Sequence, residues 1–239
     1  MKPEIAVIMA AGKGTRFGSL TAEMPKGFIP FKGKPMVIRS VEALIDAGIK
    51  EIIIGTGYHR EHYERLAELF PEVKTVFSPR FADTNSMETL YRCREAIAGR
   101  PFLLLESDIV YDISALKTLI DDPHPDIMLI TPVTKFQDQY YVEADSSGNL
   151  AGCSTDKSEV SPSGELVGIH KISPGFYKAM TGSYSRTMDE EPKLGYEFQI
   201  LRTAKSYCPM HVLNMPRLQW YEIDDTSDLA YAEKNIALT

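Results

Sequence analysis

Between Ile5 and Pro30 the chain reads IAVIMAAGKGTRFGSLTAEMPKGFIP. This order of residues constrains the fold more than any other stretch. Ile5, Ala6, Val7, Ile8 and Met9 are continuously apolar rather than alternating, the pattern of a parallel strand buried on both faces. The strand runs into Ala10-Ala11-Gly12-Lys13-Gly14, where small residues and two glycines let backbone N–H groups close on an anion. Arg16 and Lys26 follow, ten residues apart. A buried strand, a glycine turn and two cations in that order suit a backbone wrapped around a triphosphate.

Two better-known phosphate loops fit poorly. A dinucleotide fingerprint needs a glycine where Phe17 stands, and Gly18 comes one residue late; an ATPase-type loop needs a Gly-Lys-Ser/Thr ending that is absent. Downstream, strand and helix signals alternate. Met36 to Ala47 places Val37, Val41, Leu44 and Ile45 on one helical face and stops at Gly48. Glu51 to Gly55 and Val73 to Phe77 read as strands flanking a helix from His59 to Phe70. Asn85 and Glu88 have capping-box spacing for a helix to about Ala98. Pro101 to Leu105 is an apolar strand leading into Glu106-Ser107-Asp108. Repeated βα units of this size predict an α/β fold, a parallel sheet with helices on both faces.

The second half is less regular. Ile127 to Thr131, Tyr140 to Ala144, Leu166 to Ile172, Val212 to Leu213 and Trp220 to Ile223 read as strands. Leu194 to Lys205 and Asp225 to Ala237 read as helices. Ser146 to Gly164, rich in Ser, Gly, Asp and Pro, reads as turns or a mobile loop. The expectation is one domain over 1–239, with 132–175 as a lid-like substrate-side extension.

Gly12-x-Gly14-x-Arg16 followed by Pro25-Lys26 resembles the signature of the nucleotidyltransferases that activate small phosphates with an NTP, the sugar-1-phosphate and phosphocholine types among them. The supporting segments MAAGKGTRFG, MPKGFI, LLLESDIVYD, GELVGI and WYEID extend the resemblance over nearly the whole chain. LLLESDIVYD and GELVGI are similar to the 2-aminoethylphosphonate cytidylyltransferase group, and the phosphocholine cytidylyltransferases resemble the chain too. The resemblance implies a Rossmann-like mixed, mostly parallel sheet of the nucleotide-diphospho-sugar transferase type. It also implies a Mg²⁺-dependent transfer of CMP from CTP to a small phosphonate or phosphate ester, with loss of pyrophosphate.

Ligands of open α/β sheets bind beyond the carboxyl ends of the strands. The glycine turn, Asp108 and Asp224 all reach that edge. Two carboxylates, each just past an apolar strand, can share one Mg²⁺, and the resemblance gives Asp108 and Asp224 that role. It assigns catalysis to Arg16 and Lys26. The nucleotide-binding set is Ala10, Ala11, Gly12, Gly14, Thr15, Arg16, Thr84, Ser86 and Asp108, with Asn85 read as a helix cap. An acceptor amine calls for carboxylates and aromatic faces. Tyr141, Glu165, Tyr196 and Glu197 are the candidates, with Lys26 and Lys157 for the acceptor's phosphonate.

Charge and composition bound the alternatives. A net charge of −7 argues against a nucleic-acid partner, while residues 1–39 carry a local balance of +5 that can attract a polyanion. No apolar run reaches membrane-spanning length, and the first residues lack a signal-peptide layout. Cys93, Cys153 and Cys208 form no zinc spacing or disulfide framework, so a cytoplasmic setting is expected, with a homodimer as one possible assembly. A sugar-1-phosphate enzyme would call for more hydrogen-bonding side chains. A glycosyltransferase would have Asp-x-Asp where this chain has Glu106-Ser107-Asp108. A non-catalytic nucleotide binder would not keep Arg16, Lys26, Asp108 and Asp224 together.

Overall fold

The computed structural model describes residues 2–134 and 139–238. The elements, in chain order, are β1 (Ile5–Ala10), β2 (Pro30–Phe31), β3 (Lys34–Pro35), α1 (Met36–Asp46), β4 (Glu51–Thr56), α2 (Arg60–Leu69) and β5 (Val73–Phe77). Next come α3 (Ser86–Arg92), α4 (Arg94–Ile97), β6 (Phe102–Glu106), β7 (Ile109–Tyr111), α5 (Ser114–Asp121) and β8 (Ile127–Thr131). The chain closes with β9 (Tyr141–Ala144), β10 (Leu150–Ser154), β11 (Gly164–Ile172), α6 (Pro174–Thr187), α7 (Tyr196–Ser206), β12 (His211–Asn214), β13 (Trp220–Glu222) and α8 (Thr226–Asn235).

β1 lies at the centre of a nine-stranded sheet, parallel to β4 on one side and β6 on the other, with β5 parallel to β4 at one edge. All six β1 residues are buried, because the strand packs helices on both faces. Ile5, Val7 and Met9 join Met87, Leu90, Phe176 and Ile200 on one side. Ala6, Ile8 and Ala10 join Val37, Val41, Leu44, Leu66 and Leu116 on the other. This division follows from the period of two in a strand. Beyond β6 the sheet turns antiparallel through β11, which also pairs with β8 and β9. The sheet is therefore mixed, as expected, and parallel from β6 through β1 and β4 to β5.

Six elements are not legible in the sequence: β2, β3, β7, α5, α6 and β10, the last of which falls inside the segment read as loop and pairs with β9. The expected helix from Asn85 divides at Cys93 into α3 and α4. Within 132–175, residues 141–144, 150–154 and 164–172 are strands of the main sheet. Residues 135–138 of that stretch lie outside those described. A third apolar cluster of Phe17, Ile29, Phe31, Met36, Val110 and Ile223 sits beneath the loop that carries Arg16 and Lys26.

Leu104 is fully buried on β6, one strand from the centre. Leu104→Ala should cost about 2–5 kcal/mol through lost burial and an unfilled cavity, read as a lower midpoint in chemical denaturation with an unchanged slope.

Candidate active site

Asp108 and Asp224 are distant in sequence, and backbone pairing makes them neighbours. β13 runs antiparallel to β7 with Ile109 opposite Glu222, and the Ile223 N–H donates to the Asp108 carbonyl at 2.9 Å. Asp224 is left out of the helix cap because Asp225 takes that job, accepting from the Ser227 and Asp228 N–H groups. Its side chain is free to face the cleft, 4% exposed.

Lys26 meets both aspartates. Its Nζ donates to Asp108 Oδ2 at 2.5 Å and to Asp224 Oδ1 at 2.6 Å, and Arg16 Nη2 donates to the same Asp224 oxygen at 2.7 Å. Burial opposes the charge on Lys26, but the two carboxylates outweigh it and push its pKa above the usual lysine value. Gly14 makes the approach of Lys26 possible. Its φ is +61°, and a Cβ there would stand 2.8 Å from the Lys26 Cβ.

These groups open onto a cleft of about 450 Å³ at the carboxyl edge of β1 and β6. Ala11, Gly12, Gly14, Thr15, Arg16 and Lys26 line one wall, and Thr84, Asn85 and Ser86 another. Ala10 ends β1 and is buried beneath the turn, in the face that packs on α1. Asn85 caps α3, accepting from the Ser86 N–H and donating to the Lys193 carbonyl. Thr84 donates its hydroxyl to the Arg80 carbonyl at 2.7 Å, and Ser86 Oγ accepts from the Tyr196 N–H at 2.9 Å.

The far wall is acidic. Tyr196 and Glu197 reach it from the first turn of α7, and Glu106 and Glu222 from the ends of β6 and β13. Oxygens of Glu106, Asp108 and Glu222 lie within 4.8 Å of one another. Glu106 accepts from the Tyr196 hydroxyl at 2.7 Å. It has room only because Gly168, at φ +79°, has no Cβ; one would lie 2.6 Å from Glu106 Oε2. Burial, then Glu222, Asp108 and Glu197, drive the Glu106 pKa well above the ordinary carboxylate range. Burial also lifts Glu197 to about 7 against hydrogen bonds from its own backbone and Ser86. Its Oε2 is buried without a hydrogen-bond partner among the described residues.

Sequence reasoning did not assign Glu106 or Glu222 to the site. Both are strand-end acids beside an assigned aspartate, two residues before Asp108 and Asp224, and that parity was the available signal. Besides Ala10, three candidates lie outside the cleft. Tyr141 is buried on β9. Glu165 accepts from the Thr134 N–H and hydroxyl. Lys157 sits in an exposed single turn, Lys157–Glu159.

Residues 6–165 match the model of the MobA-like NTP transferase domain. The chain belongs to that family. Over 105 residues this family member is 33% identical to the 2-aminoethylphosphonate cytidylyltransferase of Lancefieldella rimae, covering 44% of this chain and 43% of the relative. Over 94 residues it is 38% identical to the choline-phosphate cytidylyltransferase of Streptococcus pneumoniae, covering 39% and 41%. The matches thus span less than half the length of these relatives. Among solved structures, the CTP:phosphocholine cytidylyltransferase from Streptococcus pneumoniae superposes with a TM-score of 0.83 at 22% identity, over 98% of this chain and 99% of that one. The inositol-1-phosphate CTP transferase from T. maritima gives 0.82 at 15%, over 99% of both. The NTP transferase fold is thereby shared along the whole chain.

The raised pKa of Glu197 has a thermodynamic consequence. A carboxyl that ionises near 7 when folded and near 4.3 when unfolded holds its proton more tightly in the native state. Its stabilising contribution is complete below about pH 4 and is lost as pH rises through 7. Glu197→Gln cannot ionise. Between pH 5 and 8 the melting temperature of the variant should therefore gain on that of the ligand-free parent protein, and parallel profiles would contradict the assignment.

Proposed function

We propose that the protein transfers CMP from CTP to 2-aminoethylphosphonate and releases pyrophosphate. The observation that carries this reading is the buried, unpartnered Oε2 of Glu197 in the same cleft as Lys26 and Arg16. A buried acceptor without a donor is costly. A primary ammonium brings N–H donors to it, whereas a quaternary ammonium brings none. With an anion-binding wall opposite, the cleft suits a small acceptor that is positive at one end and negative at the other. The cytidylyltransferases among the relatives support CTP as the donor.

In this reading a phosphonate oxygen attacks the α-phosphorus in line. One P–O bond forms as the bond to the β-phosphate oxygen breaks, and the pair of electrons leaves with pyrophosphate. The nucleophile is already an anion, so no general base is required, and positioning and charge neutralisation are what the protein supplies. Lys26 exchanges its aspartate contacts for oxygens of the α-phosphate and the acceptor. Arg16, half exposed at the mouth, meets the leaving pyrophosphate. Gly12, Gly14 and Thr15 offer backbone N–H groups to the phosphates, and Thr84 and Ser86 edge the base. Tyr196 and Glu197, with Glu106 and Glu222, face the amine.

The fit to a metal rests on the donor set. Asp108 and Asp224 present hard oxygen ligands, the preference of Mg²⁺, and in the ligand-free protein an ammonium already bridges them. A Mg²⁺ held there would withdraw charge from the triphosphate.

A pyrophosphate-release assay across four NTPs with 2-aminoethylphosphonate, phosphocholine, phosphoethanolamine and glucose-1-phosphate tests the proposal. CTP with 2-aminoethylphosphonate should be the preferred pair, and Lys26→Ala should lower kcat/KM about 10²–10³-fold. Activity confined to UTP or dTTP with the sugar phosphate would overturn it.

A further inference from the structure

The segment that carries Arg16 and Lys26 crosses a weakly supported stretch. Phe17, Thr21 and Pro25 are buried, but Ala22 and Glu23 are exposed. The side chains there contribute little packing, yet the backbone is held from outside. His59 Nε2 lies 3.0 Å from the Ala22 carbonyl oxygen, and His62 Nε2 lies 3.0 Å from the Glu23 carbonyl oxygen. A carbonyl only accepts, so both rings carry a hydrogen on Nε2 and donate. The two contacts fall on consecutive carbonyls.

The origin of these donors is equally specific. His59 precedes α2 and adopts the left-handed conformation, φ 51° and ψ 41°, uncommon for residues other than glycine and one that histidine tolerates better than most. His59 Nδ1 lies 2.8 Å from the Glu61 carboxylate, which also only accepts, so in this geometry the His59 ring donates from both nitrogens. One turn further on, the Tyr63 hydroxyl packs close against Gly27, where a Cβ would stand 3.0 Å from it. Phe28 packs its ring 5.3 Å from that of His62 and 5.1 Å from that of Tyr63. The start of α2 thus grips the chain on both sides of Lys26, at 22–23 and at 27–28.

We infer that His59 and His62 are positioning residues, whose Nε2–H groups clamp the Ala22 and Glu23 carbonyls and so fix the loop that presents Arg16 and Lys26. The inference rests on the proposed nucleotidyl transfer for its catalytic consequence. Its structural half stands apart from any substrate. Neither histidine lines the cleft, so their effect passes through the loop. Preorganised cations stabilise a transition state more than cations that must first be ordered.

Glutamine and asparagine separate the two ring nitrogens. The glutamine side-chain amide reaches about as far as Nε2 and can keep the donor. The asparagine amide reaches only to the Nδ1 position, and asparagine tolerates the left-handed backbone at position 59. The experiment compares His59→Asn/His62→Asn with His59→Gln/His62→Gln in the full chain. Amide hydrogen exchange over residues 15–28 is measured without ligand, and steady-state kinetics with CTP and 2-aminoethylphosphonate.

The asparagine pair should speed exchange in this segment roughly tenfold, as expected for two lost hydrogen bonds. It should lower kcat/KM for CTP by about the same factor. Exchange in β1 and β6 should stay at the parent level, which excludes a general loss of stability. The glutamine pair should restore both readouts. Asparagine variants that match the parent protein, or glutamine variants as impaired as asparagine, would overturn the inference. A parent protein inactive with this substrate pair would count against the proposed function, and the exchange comparison would still decide the clamp.

Discussion

The ammonium of Lys26 between Asp108 and Asp224 is the interaction on which the rest of the structure depends. Three charges held largely away from water are tolerable only as a set, because removing Lys26 leaves two adjacent carboxylates with the half-exposed Arg16 on Asp224 as their paired cation. The chain meets that demand by construction. A β7–β13 pairing fixes the aspartates side by side, and a glycine without a Cβ lets the lysine stem pass. A small apolar cluster of Phe17, Ile29, Phe31 and Ile223 underlies the loop. The position of every charged group at the cleft follows from backbone hydrogen bonds and packing a few residues away.

The same arrangement leaves the cleft electrostatically unfinished. Glu106, Glu197 and Glu222 add three carboxyl groups beside the two aspartates, with Lys26 and Arg16 as the cations that line the cleft. Burial raises the pKa of Glu106 and Glu197, and neighbouring carboxylates raise that of Glu106 further. Such a site holds its cost in the ligand-free protein and is relieved by a ligand that brings positive charge to the acidic wall. An anionic triphosphate alone would satisfy only the cationic side. The acceptor we propose, with both an ammonium and a phosphonate, would complement the whole cleft.

How much of this could be read from the sequence follows from which signals are local. β1, β4 and β6 declare themselves as apolar runs, and α1 as an amphipathic repeat ended by Gly48. The glycine turn, Arg16, Lys26 and Asp108 stand in a row whose chemistry is legible without a structure. β10 was hidden because Leu150–Ser154 is short, contains Gly152, and is flanked by Ser, Gly and Asp; its pairing with β9, not its composition, makes it a strand. α6 carries Gly, Ser and Thr throughout and owes its place to a Ser173 cap and four buried side chains. Glu165 resembled an amine ligand by composition alone, but β11 turns it toward Thr134. Glu106 and Glu222 enter the site through strand register, and the clamp of His59 and His62 on Ala22 and Glu23 is a contact between segments that no spacing rule announces.

The central claim is that Lys26 is shared, paired with aspartates when the cleft is empty and with phosphate when it is filled. Calorimetric titration of CTP into the parent protein and Asp224→Asn, with EDTA and then with Mg²⁺, tests it most directly. The account predicts a crossover. Without the divalent ion the variant binds CTP more tightly, by about tenfold, because Arg16 and Lys26 no longer share the Asp224 carboxylate and Asp108 alone remains on Lys26. With Mg²⁺ it binds more weakly, because a proposed metal ligand is gone. Weaker binding under both conditions, or no difference under either, would contradict it.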